Sequence, residues 1–183
     1  MTISNPYTTA PDRDRCAAET AAFALLDKLS IHYTRVDHES AGTMEDCMAV
    51  SDALGVRICK NLFLCNRQRT DFYLLCMPEE KPFKTKNLSH QIGSARLSFA
   101  SAEDMEQLLG CTSGSASILG LMNDTDHRVR LLLDRPVIES EWFGCHPCKN
   151  DASLKLRTSD ILHVFLPYTG HESTVVDLPS ETE

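Results

Sequence analysis

The amino-acid sequence predicts an α+β protein of one domain, built around a mixed β-sheet. The length of 183 residues suits one domain. Short apolar runs typical of strands follow one another along the chain, and helical patterns are scattered among them. Because strands and helices do not alternate regularly, the pattern disfavours a doubly wound parallel sheet.

The first elements carry distinct local signals. Asp14 to Leu29 has small and apolar residues at helical spacing, which predicts an amphipathic helix. Residues 31–38, "IHYTRVDH", alternate apolar and polar side chains, as a half-buried strand does. Thr43 to Asp46 has the composition of a capping box, and we expect the helix that it opens to end at Gly55.

The middle of the chain predicts a hairpin followed by two helices. The apolar runs 56–66 and 71–77 flank the polar segment "RQRT", which is typical of a β-hairpin. Residues 84–93 form a short helical pattern ending at a glycine. Ser101 to Asp104 predicts a second capping box, with its helix ending at Gly110.

The last third is predicted to contain mostly strands. We expect strands at "ILGLMND" (118–124), "RVRLLLD" (128–134), around "VIESEWFG" (137–144), at "SLKLR" (153–157) and at "STVVDL" (173–178). Thr158 is expected to cap the helix "SDILHVFL", and Pro167 is expected to close it because proline lacks an N–H donor.

We place the domain boundaries at changes in composition. Residues 1–12 contain two prolines and no period, which predicts a flexible N-terminus. Residues 13–178 are expected to form the folded domain. Residues 179–183 are polar and are expected to fray.

The composition is that of an ordinary globular protein, with 42% hydrophobic and 24% charged residues. No apolar run approaches the roughly 20 residues that span a bilayer. The first fifteen residues lack the apolar core of a signal peptide. We therefore expect a cytoplasmic protein with no membrane partner.

The charge is acidic overall but unevenly distributed. A formal net charge of -8 argues against general binding of nucleic acid by the whole surface, and we expect no DNA partner. Residues 57–98, however, hold eight Lys/Arg and three Asp/Glu. This basic island, from Arg57 to Arg96, could focus a polyanion onto one face, and a solvated basic surface is the alternative.

Eight cysteines are present, and two of them stand at C-x-x-C spacing in "FGCHPCKND". Structural zinc usually needs a second such pair, and a redox pair prefers a helix N-terminus in a βαβ unit. Neither context surrounds Cys145 and Cys148. We favour buried structural thiols, with a metal or redox protein as the alternative.

Two further features indicate a site for an anion or a polarised carbonyl. Residues 112–117, "TSGSAS", form a loop of small side chains whose backbone N–H groups are accessible. Lys60 interrupts an apolar strand pattern, where its ammonium would be a fixed positive charge if it faces a pocket. A plain turn and a solvated lysine are the alternatives.

Four blocks, taken together, resemble the prolyl-tRNA editing proteins of the YbaK-like superfamily. In chain order they are "CKNLFL" (59–64), "RLSFAS" (96–101), "GSASILGLMND" (114–124) and "FGCHPCKN" (143–150). The resemblance covers roughly residues 20–178 and is greatest to the free-standing alanyl-tRNA(Pro) deacylases. It implies a barrel-like mixed sheet with flanking helices. One departure is Ile118, where many relatives carry a proline that would stiffen the loop.

The resemblance implies hydrolysis in trans of the ester in mischarged alanyl-tRNA(Pro), without metal or cofactor. A synthetase pocket shaped for proline rejects a smaller side chain weakly, so a second site removes the error. Lys60, Gly114 and His146 match the family's catalytic positions. The implied substrate-binding residues are Asn61, Ser115, Ala116, Ser117 and Asn150. For His146, shaping the pocket is favoured over acting as a general base.

The implied partner is the acceptor end of mischarged tRNA(Pro), read by the basic island, with prolyl-tRNA synthetase as a possible second partner. Two alternatives remain within the family, namely a cysteinyl-tRNA(Pro) deacylase and a binding module that holds aminoacyl-tRNA without hydrolysing it.

Overall fold

The computed structural model describes residues 1–12 and 15–180, apart from the side chain of Met44. It contains two β-sheets with helices around them. The three-stranded antiparallel sheet has the order β1-β7-β6, and the five-stranded mixed sheet has the order β4-β2-β3-β5-β8. The strands are β1 (Tyr33–Asp37), β2 (Cys59–Cys65), β3 (Phe72–Pro78), β4 (Ser98–Phe99), β5 (Val129–Asp134), β6 (Trp142–Cys145), β7 (Ala152–Arg157) and β8 (Ser173–Val176).

The helices lie between and beside these strands. They are α1 (Ala17–Lys28), α2 (Met44–Leu54), α3 (Thr85–Gln91), α4 (Ala102–Leu109), α5 (Arg135–Glu139), α6 (Thr158–Asp160) and α7 (Leu166–Thr169). A 3-10 helix spans Ile118–Asn123, and a π-helical segment, Ile161–Phe165, joins α6 to α7. The predicted α+β class is therefore confirmed.

A parallel bridge between Ile58 and Gly144 joins the two sheets. It links the residue before β2 to the middle of β6, so the sheets meet at one seam and the assembly is barrel-like. The main core packs between the sheets and the helices, and Leu26, Leu74 and Phe143 are among its fully buried members. The seam matters because the candidate site contains residues of β2 and of the loop that follows β6.

Locally specified elements match their predictions. Thr43 and Ser101 both form complete capping boxes, with Asp46 and Asp104 as their partners. Gly55 and Gly110 end the same helices in the left-handed conformation, with φ of 66° and 63°. The predicted hairpin is the antiparallel pair β2–β3, in which Lys60 lies opposite Met77.

The predicted strand 118–124 is wrong, because this segment is a 3-10 helix. Ser117 accepts the N–H of Leu119 through its side chain and so caps the helix. An apolar run alone does not distinguish a buried helical turn from a buried strand. The stretch around 137–144 is likewise a strand only from Trp142 onward, and Pro136 opens the preceding helix α5.

The predictions for the last helix need correction at both ends. Thr158 lies inside α6, and its buried hydroxyl makes no hydrogen bond to the described residues. Pro167 does not close the helix, because α7 continues to Thr169 and ends at Gly170 with φ of 73°. The wider π-helical turns before Pro167 move the carbonyl that its ring would otherwise meet.

The N-terminal segment, predicted to be flexible, lies along β1. Ile3 and Tyr7 bridge to His38 and Arg35, and the N–H of Ser4 donates to the carbonyl of Asp37 at 2.8 Å. Through these bonds the segment adds an irregular edge strand to the three-stranded sheet, next to β1. The flexibility predicted for residues 1–12 stays a prediction. The predicted start of α1 at Asp14 lies outside the described residues, and so do residues 181–183 of the predicted frayed tail, 179–183.

Candidate functional site

A cleft of about 530 Å³ opens where the two sheets meet. Its walls come from β2, the segment after β1, helix α2, strand β4 and the two loops at 113–116 and 146–150. Many lining groups are apolar, and the polar ones converge from different elements. This is the usual construction of a small-molecule site.

The structure brings six of the eight predicted site residues to this cleft. Those that line it are Lys60, Asn61, Gly114, Ala116, His146 and Asn150. Ser115 and Ser117 are buried behind the lining, with 3% and 0% exposure. These two serines therefore support the site instead of facing it.

Lys60 is half-buried in β2, and its ammonium is held by backbone carbonyls. It donates to the carbonyl oxygens of Lys81 at 2.5 Å and Glu79 at 3.1 Å. Burial lowers the pKa of Lys60, although the nearby carboxylates of Glu79 and Glu80 oppose the shift. An ammonium has three donors, so one donor remains for a ligand in the cleft.

Two asparagines present amides to the cleft. The Asn61 side chain donates to the carbonyl of Cys59 at 3.2 Å, and that of Asn150 donates to the carbonyl of Ala41 at 3.1 Å. Both side-chain oxygens are buried without a hydrogen-bond partner among the described residues. Buried polar atoms without partners are uncommon in folded proteins, and here they lie beside a cavity.

Serine hydroxyls bind the two loops of the cleft to each other. The Ser115 hydroxyl accepts the backbone N–H of Asn150 at 3.1 Å. The Ser117 hydroxyl donates to the carbonyl oxygen of His146 at 2.5 Å. Ile118 follows and is fully buried, so core packing anchors this end of the loop.

The small-residue loop turns sharply at Gly114, whose φ is 79°. The N–H of Ser115 is used within the turn, since it donates to the carbonyl of Thr112 at 3.0 Å. The N–H groups of Gly114 and Ala116 make no hydrogen bond to the described residues, and both residues line the cleft. These two loop donors, and the N–H of Ser113, which also lines the cleft, remain for a carbonyl oxygen or a water.

His146 lines the cleft, and its buried surroundings favour the neutral ring. Burial lowers the pKa of His146 below the ordinary value of 6.5. The hydrogen bond to the Ala152 carbonyl raises the pKa, and the nearby His38 lowers it further. Its Nδ1 lies 2.9 Å from the carbonyl oxygen of Ala152. Its Nε2 makes no hydrogen bond to any described residue.

Several residues that line the cleft were not predicted from the sequence. His38, Ser153 and the exposed ring of Phe99 are the most notable. His38 directly follows β1 and Ser153 lies in β7, and the register of those strands places Val36 opposite Ser153. Cross-strand register is not readable from either segment alone, which is why these residues carried no signal.

The cysteine pair of "FGCHPCKND" does not face the cleft. Cys145 and Cys148 are buried and free, as are Cys65, Cys76 and Cys111. Burial raises the pKa of the Cys145 thiol. Across the described residues, no three His, Cys, Asp or Glu side chains come together as a metal site would require.

Some cations of the basic island are paired with acidic side chains of the same chain. Lys81 is buried against Asp134, with 2.6 Å between Nζ and Oδ2. Arg69 forms an ion pair with Asp104 at 2.5 Å. The exposed basic residues of the island include Arg57, Arg67, Lys86 and Arg96. In residues 1–12 and 15–180, no helix is long and apolar enough to cross a membrane.

Comparison with known proteins agrees with the fold. Residues 38–164 match the model of the aminoacyl-tRNA editing domain. The chain therefore belongs to the aminoacyl-tRNA editing domain family. The matched region begins at His38 and includes every predicted site residue.

Similar proteins extend the match over most of the chain. The prolyl-tRNA editing protein ProX of Acetoanaerobium sticklandii is 31% identical over 79% of this chain and 88% of its own length. Prolyl-tRNA synthetase associated domain-containing protein 1 of Danio rerio is 29% identical over 82% of each chain. A crystal structure described as a candidate trans-editing enzyme for prolyl tRNA synthetase superposes with a TM-score of 0.66 at 14% identity, covering 91% of this chain and all of the other. That last similarity concerns the fold.

Proposed function

We propose that this protein is a hydrolase that removes alanine from mischarged alanyl-tRNA(Pro) after its release from the synthetase. The observation that carries the proposal is that Lys60, the loop residues Gly114 and Ala116, and His146 all line one cleft. The chain also belongs to a family of aminoacyl-tRNA editing domains. The similarity to the prolyl-tRNA editing protein ProX supports tRNA(Pro) as the substrate.

The cleft supports a mechanism based on positioning. An aminoacyl ester is labile, so a correctly placed water is sufficient and no protein nucleophile is needed. The N–H groups of Gly114 and Ala116 would hold the ester carbonyl oxygen as negative charge develops on it. Fixing ester and water together supplies much of the rate by proximity.

Lys60 would anchor the terminal nucleotide. Two of its donors are satisfied by backbone carbonyls, and these fix the direction of the third. A phosphate or ribose oxygen of the terminal adenosine is a suitable acceptor for this ammonium. The ribose hydroxyl next to the ester would then help to activate the water, which makes catalysis partly substrate-assisted.

The decisive experiment measures deacylation of alanyl-, cysteinyl- and prolyl-tRNA(Pro) by the wild type and by Lys60→Ala, with a chelator present. The matched control is Lys155→Ala. Lys155 is another strand lysine whose ammonium donates to a backbone carbonyl, that of Gly55 at 3.2 Å, but it does not line the cleft.

The proposal expects rapid loss of alanine, sparing of proline, a large loss of activity in Lys60→Ala and near-normal activity in Lys155→Ala. Fastest release of cysteine would overturn the choice of alanine and keep the hydrolase. No release from any substrate, with tRNA binding retained, would show a binding module. Activity lost to the chelator and restored by zinc would show a metal enzyme.

A further inference from the structure

A chain of three polar side chains runs along one wall of the cleft and ends at His146. Ser153, in β7, has its hydroxyl 2.9 Å from Nε2 of His38 and 3.3 Å from Nδ1 of His146. The two rings lie 6.1 Å apart, centroid to centroid. His38 is 7% exposed and Ser153 is fully buried.

Backbone carbonyls determine which nitrogen of each histidine carries the proton. Nδ1 of His38 lies 2.8 Å from the carbonyl oxygen of Glu39, and Nδ1 of His146 lies 2.9 Å from that of Ala152. A carbonyl oxygen accepts and cannot donate. In its neutral form, each ring therefore carries its proton on Nδ1, although a free imidazole in water prefers Nε2.

The direction of the serine hydroxyl follows from these two tautomers. Because Nε2 of His38 has no proton, it accepts the Ser153 O–H. The Ser153 oxygen can then accept the Nδ1–H of His146. That N–H is shared between two acceptors, the Ser153 hydroxyl and the carbonyl of Ala152. The donors in the chain therefore point in one direction, from His146 through Ser153 to His38.

The free end of the chain faces the substrate. Nε2 of His146 has a lone pair and no hydrogen-bond partner among the described residues, and His146 lines the same cleft as Lys60 and Gly114. Buried polar chains are costly when incompletely paired and rigid when complete. This one is complete except at the atom that a ligand can reach.

We propose that His38 and Ser153 are positioning residues, which hold His146 with its Nε2 as a hydrogen-bond acceptor for an O–H group in the cleft. The O–H group is the attacking water or the ribose hydroxyl beside the ester. The ring can thus orient a reactant without first losing a proton of its own. The inference rests on the proposed hydrolysis for its kinetic test, but its spectroscopic test does not.

The spectroscopic test reads the tautomers directly, without substrate. Two-dimensional NMR correlating ring nitrogens and carbon-bound protons at pH 7.5 should show both His38 and His146 protonated at Nδ1. In Ser153→Ala, His38 loses the donor to its Nε2 and should shift toward the Nε2–H form. A proton on Nε2 of His146 in the wild type would overturn the proposal whether or not the protein hydrolyses any ester.

The kinetic test uses alanyl-tRNA(Pro), the proposed substrate, and separates kcat from KM. Ser153→Ala should lower kcat roughly tenfold, the scale of one lost hydrogen bond, with KM little changed. Ser153→Thr keeps the hydroxyl and should recover part of the rate. Ser51→Ala is the matched control, since Ser51 is also buried and accepts the N–H of Ile58 at 3.4 Å but does not line the cleft.

A double-mutant cycle shows whether Ser153 acts through His146. In a His146→Ala background with measurable residual activity, Ser153→Ala should have no further effect on kcat. An equal loss in both backgrounds would overturn the positioning role, because Ser153 would then affect the rate by another route. Unchanged kcat in Ser153→Ala, or the same loss in Ser51→Ala, would overturn it as well.

Discussion

Gly144 lies at the seam between the two sheets, where replacing it with alanine should be strongly unfavourable. A Cβ on Gly144 would overlap the carbonyl oxygen of Arg57 and lie 3.0 Å from both the Arg57 carbonyl carbon and the Ile58 Cα. All three contacts are backbone atoms, so no side chain can rotate away. Gly144 also pairs with Lys155 in the small sheet, which restricts its movement in the other direction.

The size of the effect follows from overpacking a rigid backbone contact. Such overpacking costs about 1–3 kcal/mol. For a chain of this length each kcal/mol lowers Tm by roughly 2–4 °C. Taking about 2 kcal/mol, we expect Gly144→Ala to unfold about 4–8 °C below the wild type, as measured by circular dichroism.

Gly42→Ala is the control for this experiment. A Cβ at Gly42 meets nothing within 4 Å, and its φ is not positive. Its Tm should therefore equal or slightly exceed that of the wild type, because alanine reduces the entropy of the unfolded chain. A Tm of Gly144→Ala within about 1 °C of the control, well inside the expected shift, would refute the close approach of the sheets at this seam.

The remaining predictions concern the thiols, pH and salt. Cys148→Ser should retain deacylation activity with the chelator present, since Cys148 is buried behind the cleft; loss of activity in a folded variant would reopen a role for the thiol. The free energy of unfolding should fall as the pH drops below 6.5, because burial lowers the pKa of His146 and the unfolded chain takes up a proton that the folded chain resists. This fall should be smaller in His146→Gln, as urea titrations at pH 7.5 and 5.5 would show, and an identical fall would contradict the assignment. The KM for charged tRNA should rise steeply with salt, because the exposed cations of residues 57–96 meet phosphates; a flat salt dependence would argue against this surface.

The parts of the fold that sequence predicted correctly are those fixed by local chemistry. Thr43 and Ser101 satisfy helix N–H groups within their own turn, and Gly55 and Gly110 adopt a conformation that other residues avoid. The π-helical turns before Pro167 have no comparable local signature. The helix therefore continues past Pro167 to Thr169, and its predicted end was wrong.

The residues of the candidate site also fall into those that local sequence identifies and those that it does not. Lys60 interrupts an apolar strand and Gly114 lies in a loop of small residues, so both were identifiable from their neighbours. His38 and Ser153 are 115 positions apart, and the hydrogen bond between them depends on strand register. Such a pair becomes visible only once β1 and β7 are aligned.

The serine links between the two cleft loops constrain how this family can change its sequence. Ser115 and Ser117 lie in one loop, while the groups they bind belong to Asn150 and His146 in the other. A mutation at either serine would disturb a loop that it does not belong to, so it would survive in a lineage mainly alongside compensating changes there. We therefore expect substitutions at residues 115–117 to be accompanied by substitutions at residues 146–150 in family members with a different substrate preference.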